Sequence, residues 1–461
     1  MIDKKRLKHI IRGLRDYRKT ARYIKLDLVD FFEAGKLLRK IRSEGNRSFN
    51  VNDLKIHWGA ILKYKKRAGR KEYVELCGNI FKRNLEELKA KDCIRVCFVT
   101  SLETAWSGDH LYRMMETSGK FYPFVAIANA EAEKRSSDSI KNYYVERGLR
   151  AFLFRELEDV QADLFIYQNP YPLSDVHSDI RERSTSELCV MIPYAVMFFG
   201  NDRENFLESE WFIRSQCIWK FYCYTRFQME QGKKNNALGE LNMVYSGYPK
   251  TDSLLTGSFN GSEWDFKKDA EKRILYAPSL YWEYSTFMQS WKLIYGLAKE
   301  YSEIAWIFRP HPYLGHTLER EKQIPSIEIY DRYLEDWSEL ENAHVQFGGD
   351  YYDTFMTSDA MIADGTSLIS NYQYTGKPLL VLTGKGMKYS EYGKELLSAQ
   401  YTAFGDDSDG IRAFITNVVL NGKDEKIEKR KQFFDKNLNY FKENGKLASE
   451  FIYYDLLNEL T

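Results

Sequence analysis

The chain has 461 residues, room for two to four domains at ~150 residues each. With 44% hydrophobic and 29% charged residues it is neither disordered nor fibrous, and no run reaches the ~18 apolar residues of a membrane span. The net charge of +1 conceals an imbalance: residues 1–90 carry 25 Lys and Arg against 11 Asp and Glu, while the remainder carries 42 against 55.

Residues 1–92 read as a basic helical extension. Leu7, Ile10, Ile11 and Leu14 recur every three to four positions between Lys and Arg, the spacing of an amphipathic helix. Asn50-Val51-Asn52-Asp53 caps a second helical stretch through Trp58, Ile61 and Leu62, and Glu72 to Leu88 supplies a third. The surplus charge either solvates outer helix faces or attaches the chain to an anionic surface such as a membrane leaflet. Nucleic acid is not expected, because no helix-turn-helix, zinc-finger or RNP pattern accompanies the charge. The first residues, Met1-Ile2-Asp3-Lys4-Lys5-Arg6, lack a signal peptide's apolar run, and the six Cys form no CxxC pair. Both features point to a reduced, cytoplasmic setting.

The texture changes at Asp92. Residues 93–250 alternate short apolar runs (Cys93–Thr100, Tyr122–Ala128, Ala151–Phe154, Asp163–Tyr167, Leu188–Ile192, Met243–Tyr245) with helical stretches at His110–Thr117 and Ser137–Gly148. A second alternation covers 251–435. Its strands are Ile274–Pro278, Ile304–Phe308, Ala360–Ala363 and Pro378–Leu382, with helices at Phe287–Tyr301, at Tyr352–Thr357 and from Ser367. Residues 436–461 form a closing helix. Strand–helix alternation of this kind predicts parallel sheets, so the fold class is α/β with two Rossmann-like units behind a helical preface. Ligands in such units gather where the loops at strand C-termini converge.

Four loops there carry candidate chemistry. Arg309-Pro310-His311-Pro312 follows strand 304–308, and its two prolines hold an Arg fork and an imidazole in a form suited to phosphate oxygens. Asp364-Gly365-Thr366-Ser367 ends another strand and opens a helix, offering hydroxyls and free N–H groups to a phosphate or serving as a plain cap. In the first unit, Ser107-Gly108-Asp109-His110 sets a carboxylate beside an imidazole, a pair able to accept a hydroxyl proton or simply to cap a helix. Gln168-Asn169-Pro170-Tyr171 follows strand 163–167 as a fixed polar wall on the acceptor side. Asp407-Ser408-Asp409 resembles a metal motif but reads as a helix cap before Gly410. There is no GxGxxG, GxxxxGK[ST], GxSxG or HExxH. No cofactor is required by any motif, and the sequence leaves a divalent metal open.

Taken in order, Ser246-Gly247-Tyr248-Pro249-Lys250-Thr251-Asp252, Ile274–Pro278, Arg309–Pro312, Asp364–Ser367, Asn371-Tyr372 and Gly376-Lys377-Pro378 resemble the CDP-glycerol glycerophosphotransferase family, which builds teichoic-acid-like and capsule-associated polymers. The resemblance implies a GT-B-like pair of units. The second would hold a CDP-linked donor, with Arg309, His311, Asp364, Gly365, Thr366, Ser367, Asn371, Tyr248 and Pro278 around it. The first would hold a polymer or lipid-linked acceptor, with Gln168, Asn169 and Tyr171 on that side. Transfer of glycerol phosphate, or a related alditol phosphate, to an acceptor hydroxyl would release CMP. Two departures stand out. Gly365 and Asn371 occupy positions where the family commonly has Tyr and Asp, and the Trp-His-Gly motif of the teichoic acid enzymes is missing from the first unit. The base therefore falls to Asp109 or His110 on local chemistry alone. A nucleotide-sugar transferase on the same fold and a non-catalytic scaffold of capsule assembly are the competing readings. Attachment at the inner face of the cell membrane through 1–92 is expected, and oligomeric assembly stays open.

Overall fold

The computed structural model describes residues 67–101, 103, 106–128, 137–154, 156, 161–168, 187–194, 218–236, 238–280, 285–347 and 351–461. The amphipathic stretches expected before residue 67, together with Asn169 and Tyr171, lie outside these residues.

Helix Arg67–Lys89 leads into a seven-stranded sheet. Its strands are β1 (Ile94–Thr100), β2 (Phe121–Ile127), β3 (Ala151–Leu153), β4 (Leu164–Tyr167), β5 (Leu188–Met191), β6 (Lys220–Cys223) and β7 (Met243–Tyr245). They lie in the order β3-β2-β1-β4-β5-β6-β7, all parallel. The second sheet comprises β8 (Lys272–Ala277), β9 (Ile304–Phe308), β10 (Ala343–Val345), β11 (Ala360–Ala363), β12 (Leu379–Thr383) and β13 (Tyr401–Phe404). Its order, β10-β9-β8-β11-β12-β13, is again wholly parallel. Both are Rossmann-like, and each reverses strand order once, between β1 and β4 and between β8 and β11. A crevice opens at such a reversal because the flanking loops leave in opposite directions.

The apolar runs become central strands because parallel strands covered on both faces must be apolar at every position. In the second sheet the two faces separate by residue parity. Leu275, Ala277, Ala305, Ile307, Met361 and Val381 join one core, whereas Ile274, Tyr276, Trp306, Phe308, Ile362 and Leu380 join the other. Met361 pairs across the sheet with both Leu275 and Leu379.

Aromatic residues join the two units. Tyr224 and Tyr248 stack at 4.9 Å, and Phe227 stacks on Tyr392 at 5.9 Å. Gly247 lies so close to the Tyr440 ring that a Cβ there would fall 2.0 Å from it. The closing stretch is two helices rather than one. Tyr440–Asn444 ends at Gly445, a left-handed C-cap, and Ala448–Leu460 then returns to the first unit. There Ile452, Tyr453, Leu456 and Leu460 complete the first core, and Tyr453 meets Phe121 edge-on at 6.1 Å. Lys220 of β6, buried, donates to Asp455 and Glu459 of the same helix.

Candidate functional site

The second unit's candidate residues sit on three adjacent strand ends. Just past β9, the Arg309 N–H extends the ladder to the Tyr276 carbonyl (2.8 Å), and the chain then turns through buried Pro310. The Arg309 guanidinium donates to Gln346 Oε1 (2.7 Å) and lies over the Tyr351 ring, 5.3 Å from its centre. Gln346 follows β10, is buried, and donates in turn to Thr354 Oγ1 at 3.1 Å. Asn371 Nδ2 donates to the Tyr351 hydroxyl at 2.7 Å, and Lys250 Nζ stands 5.6 Å from the centre of the same ring. Three segments far apart in sequence therefore meet on Tyr351. The chain chemistry alone did not single out Tyr351 or Gln346; the only signal was the run Gly348-Gly349-Asp350-Tyr351-Tyr352 after a short strand.

His311 is exposed. Its Nδ1 accepts from the Tyr313 N–H (3.2 Å), which in the neutral ring places the proton on Nε2, the nitrogen turned from the backbone. Its carbonyl accepts from the Leu314 N–H and so opens helix Leu314–Arg320.

Past β11 the structure corrects part of the expected donor wall. Asp364 is buried, and its carboxylate faces its own chain. It accepts from the N–H groups of Ser279 and Thr286 and from Thr286 Oγ1 (2.9 Å). Burial pushes this carboxyl up to about 6 despite those hydrogen bonds. Asp364 thus fastens the loop after β8 to the end of β11. Gly365 has φ +86°, and a Cβ on it would lie 2.6 Å from the Ser279 side chain. Pro278 and Tyr248 are also buried; the Tyr248 hydroxyl donates to the Tyr194 carbonyl. These residues form the frame of the site rather than its surface. Thr366 and Ser367, half-buried at the start of helix Ser367–Tyr372, remain at the crevice mouth, with no side-chain cap formed by Thr366.

Other motif residues are likewise structural. Lys377 Nζ donates to the Met356 carbonyl (2.6 Å) and to that of Ser358, and burial lowers its pKa. Asp407 accepts from the Gly410 N–H at 2.9 Å, so it caps helix Ser408–Ala413 as expected.

The first unit repeats the fastening at its own reversal point. Gln168, directly after β4, is fully buried and donates to Ser107 Oγ (3.1 Å) in the loop after β1. It braces that loop instead of facing an acceptor. Asp109 and His110 open helix Asp109–Thr117, the carboxylate ion-paired with Arg147 at 3.4 Å and the imidazole exposed. Among the described residues no group of three or more His, Cys, Asp or Glu could hold a metal ion.

Two Rossmann-like parallel sheets, one following the other, define a GT-B-like α/β protein. The family model described as CDP-glycerol:poly(glycerophosphate) glycerophosphotransferase matches residues 212–456, more than half of the chain, and the chain belongs to this family. It is therefore a transferase of the CDP-glycerol glycerophosphotransferase type. Among solved structures it is similar to the wall teichoic acid polymerase TagF (TM-score 0.53, 12% identity, covering 90% of this chain and 99% of that one). It is also similar to a TagF variant soaked with CDPG (TM-score 0.51, 14% identity, 90% and 99%). The MnaA–UDP co-structure from S. aureus is comparable in fold (TM-score 0.52, 11% identity, 77% and 94%). No curated protein sequence gives a significant match.

Proposed function

We propose that the chain transfers glycerol phosphate, or a related alditol phosphate, from a CDP-linked donor to a hydroxyl of a polymer or lipid-linked acceptor at the inner face of the cell membrane. The acceptor oxygen attacks the β-phosphorus, the bond to the bridging oxygen breaks, and CMP leaves. Arg309 neutralises the pyrophosphate, the outward Nε2–H of His311 donates to the departing phosphate, and Thr366 and Ser367 bind phosphate oxygens. Asp109 or His110, at the C-terminal rim of the first sheet, takes the acceptor proton. The observation that carries this reading is the Arg309 guanidinium, held by Gln346 and Tyr351 beside His311 at the end of β9. Family membership supports CDP-glycerol as the donor, and the TagF variant's CDPG soak is in keeping with it.

The test is nucleotide release, CMP from CDP-glycerol or CDP-ribitol and nucleoside diphosphate from a set of nucleotide-sugars, each with a glycerophosphate-primed acceptor. Release from the CDP-alditols alone is expected. His311→Ala should lower it ~10²-fold or more, the scale of losing one preorganised charge-stabilising group, with unchanged thermal unfolding. Turnover of a nucleotide-sugar in place of CDP-alditols would transfer the site to the sugar-transferase reading.

A further inference from the structure

We infer that Lys250, in the segment crossing from the first unit to the second, is a further cation of the donor-phosphate site and contacts the diphosphate beside Arg309. The inference rests on the donor reading above. Lys250 belongs to Tyr248-Pro249-Lys250-Thr251-Asp252, in which Tyr248, Pro249, Thr251 and Asp252 are all buried. Lys250 alone is half-exposed.

The backbone beneath it is pinned three ways. Thr251 donates to the Tyr248 carbonyl through its N–H (2.9 Å) and its Oγ1 (2.7 Å), closing the 3-10 turn Pro249–Thr251. Tyr352 donates its hydroxyl to the Lys250 carbonyl at 2.6 Å. Asp252 is locked by Tyr440 and by the start of the last helix. A long cationic side chain on so fixed a base loses less freedom on binding than a loop lysine would.

Its direction is set by the neighbouring tyrosine. The Lys250 ammonium (5.6 Å) and the Arg309 guanidinium (5.3 Å) both lie against the Tyr351 ring. Asn371, in the helix that Thr366 and Ser367 open, holds that ring by its hydroxyl. The two cations stand on one ring, and an anion with two charged phosphates can contact both. The ring also excludes water from one side of each cation, which strengthens the attraction. A diphosphate fits this pairing better than a monophosphate.

Isothermal titration of the full chain with CDP, CMP and cytidine tests the assignment. Lys250→Ala should weaken CDP about tenfold or more, the scale of one charge-assisted hydrogen bond, and CMP less. Cytidine binding and the melting temperature should not change, and Lys250→Arg should restore most of the loss. The salt dependence of CDP binding should also be shallower in Lys250→Ala. If Lys250→Ala binds CDP like the wild type while Arg309→Ala does not, the inference falls and the donor reading stands. A parallel loss of cytidine binding would make Lys250 a purely structural residue and overturn it too. Failure of the wild-type chain to bind CDP would remove the donor reading itself.

Discussion

At the scale of single residues, the centre of the second unit depends on Asp364 and Gly365. Asp364 titrates near 6 in the folded chain, against an ordinary 3.8, because burial outweighs its hydrogen bonds. Between those values the folded state keeps a proton that the unfolded chain releases, so stability falls as pH rises through that window and levels off above it. The whole effect is at most about 3 kcal/mol. Asp364→Asn lacks this dependence, so the stability advantage of wild type over Asp364→Asn should shrink from pH 4 to pH 6.5. Chemical denaturation across that range would contradict the assignment by giving a constant difference. Gly365→Ala combines a left-handed backbone with a Cβ pressed onto Ser279 and should cost about 1–3 kcal/mol. Adding Ser279→Gly removes the collision but not the backbone strain, so the double variant should recover part of the melting temperature. Full recovery, or none, would show that only one of the two causes acts.

At the scale of elements, the last helix is held by a motif that reads as part of a ligand site. The Asp252 carboxylate, buried, accepts from the Ala448 N–H (3.0 Å), the Ser449 N–H (2.8 Å) and the Tyr440 hydroxyl (2.6 Å). It therefore caps helix Ala448–Leu460 from 196 residues away. Burial raises its pKa, with these hydrogen bonds opposing. Asp252→Ala strands two amides and a hydroxyl and should cost about 2–4 kcal/mol. Hydrogen exchange should rise first over 448–460, since that helix loses its anchor while keeping its apolar face on the first core. Uniform loss of protection across both units would mean that the cap serves global rather than local stability. The same view explains the glycine and tyrosine that open the Gly247 to Asp252 motif: Tyr248 stacks on Tyr224, and Gly247 leaves room for the Tyr440 ring.

At the scale of the whole molecule, the proposed membrane attachment rests on charge. No helix among the described residues is long and apolar enough to cross a membrane. Residues 1–90 carry a surplus of basic groups, each worth ~1 kcal/mol near an anionic leaflet and screened beyond ~8 Å at physiological salt. Co-sedimentation with anionic vesicles should be salt-sensitive, absent with neutral vesicles and lost on deleting residues 1–66, which leaves helix Arg67–Lys89 in place. Retention of the truncated chain on anionic vesicles would assign attachment to another surface.

The buried central strands were legible in the chain because each is a short unbroken apolar run, and their alternation with helices dictates parallel sheets. β6, β10 and β13 were not. β10 and β13 are edge strands of three or four residues with exposed positions, and Lys220-Phe221-Tyr222-Cys223 begins with a lysine whose partners lie on the final helix. The strand-end loops likewise announced themselves by Pro, Gly and charge. Which of their side chains turn inward was decided only by tertiary contacts. Asp364, Gln168 and Tyr248 turned inward because backbone amides, a serine hydroxyl and a carbonyl from other segments awaited them there. Lys250, Arg309 and Asn371 meet because Tyr351 stands between them, a convergence of three segments that local pattern cannot express.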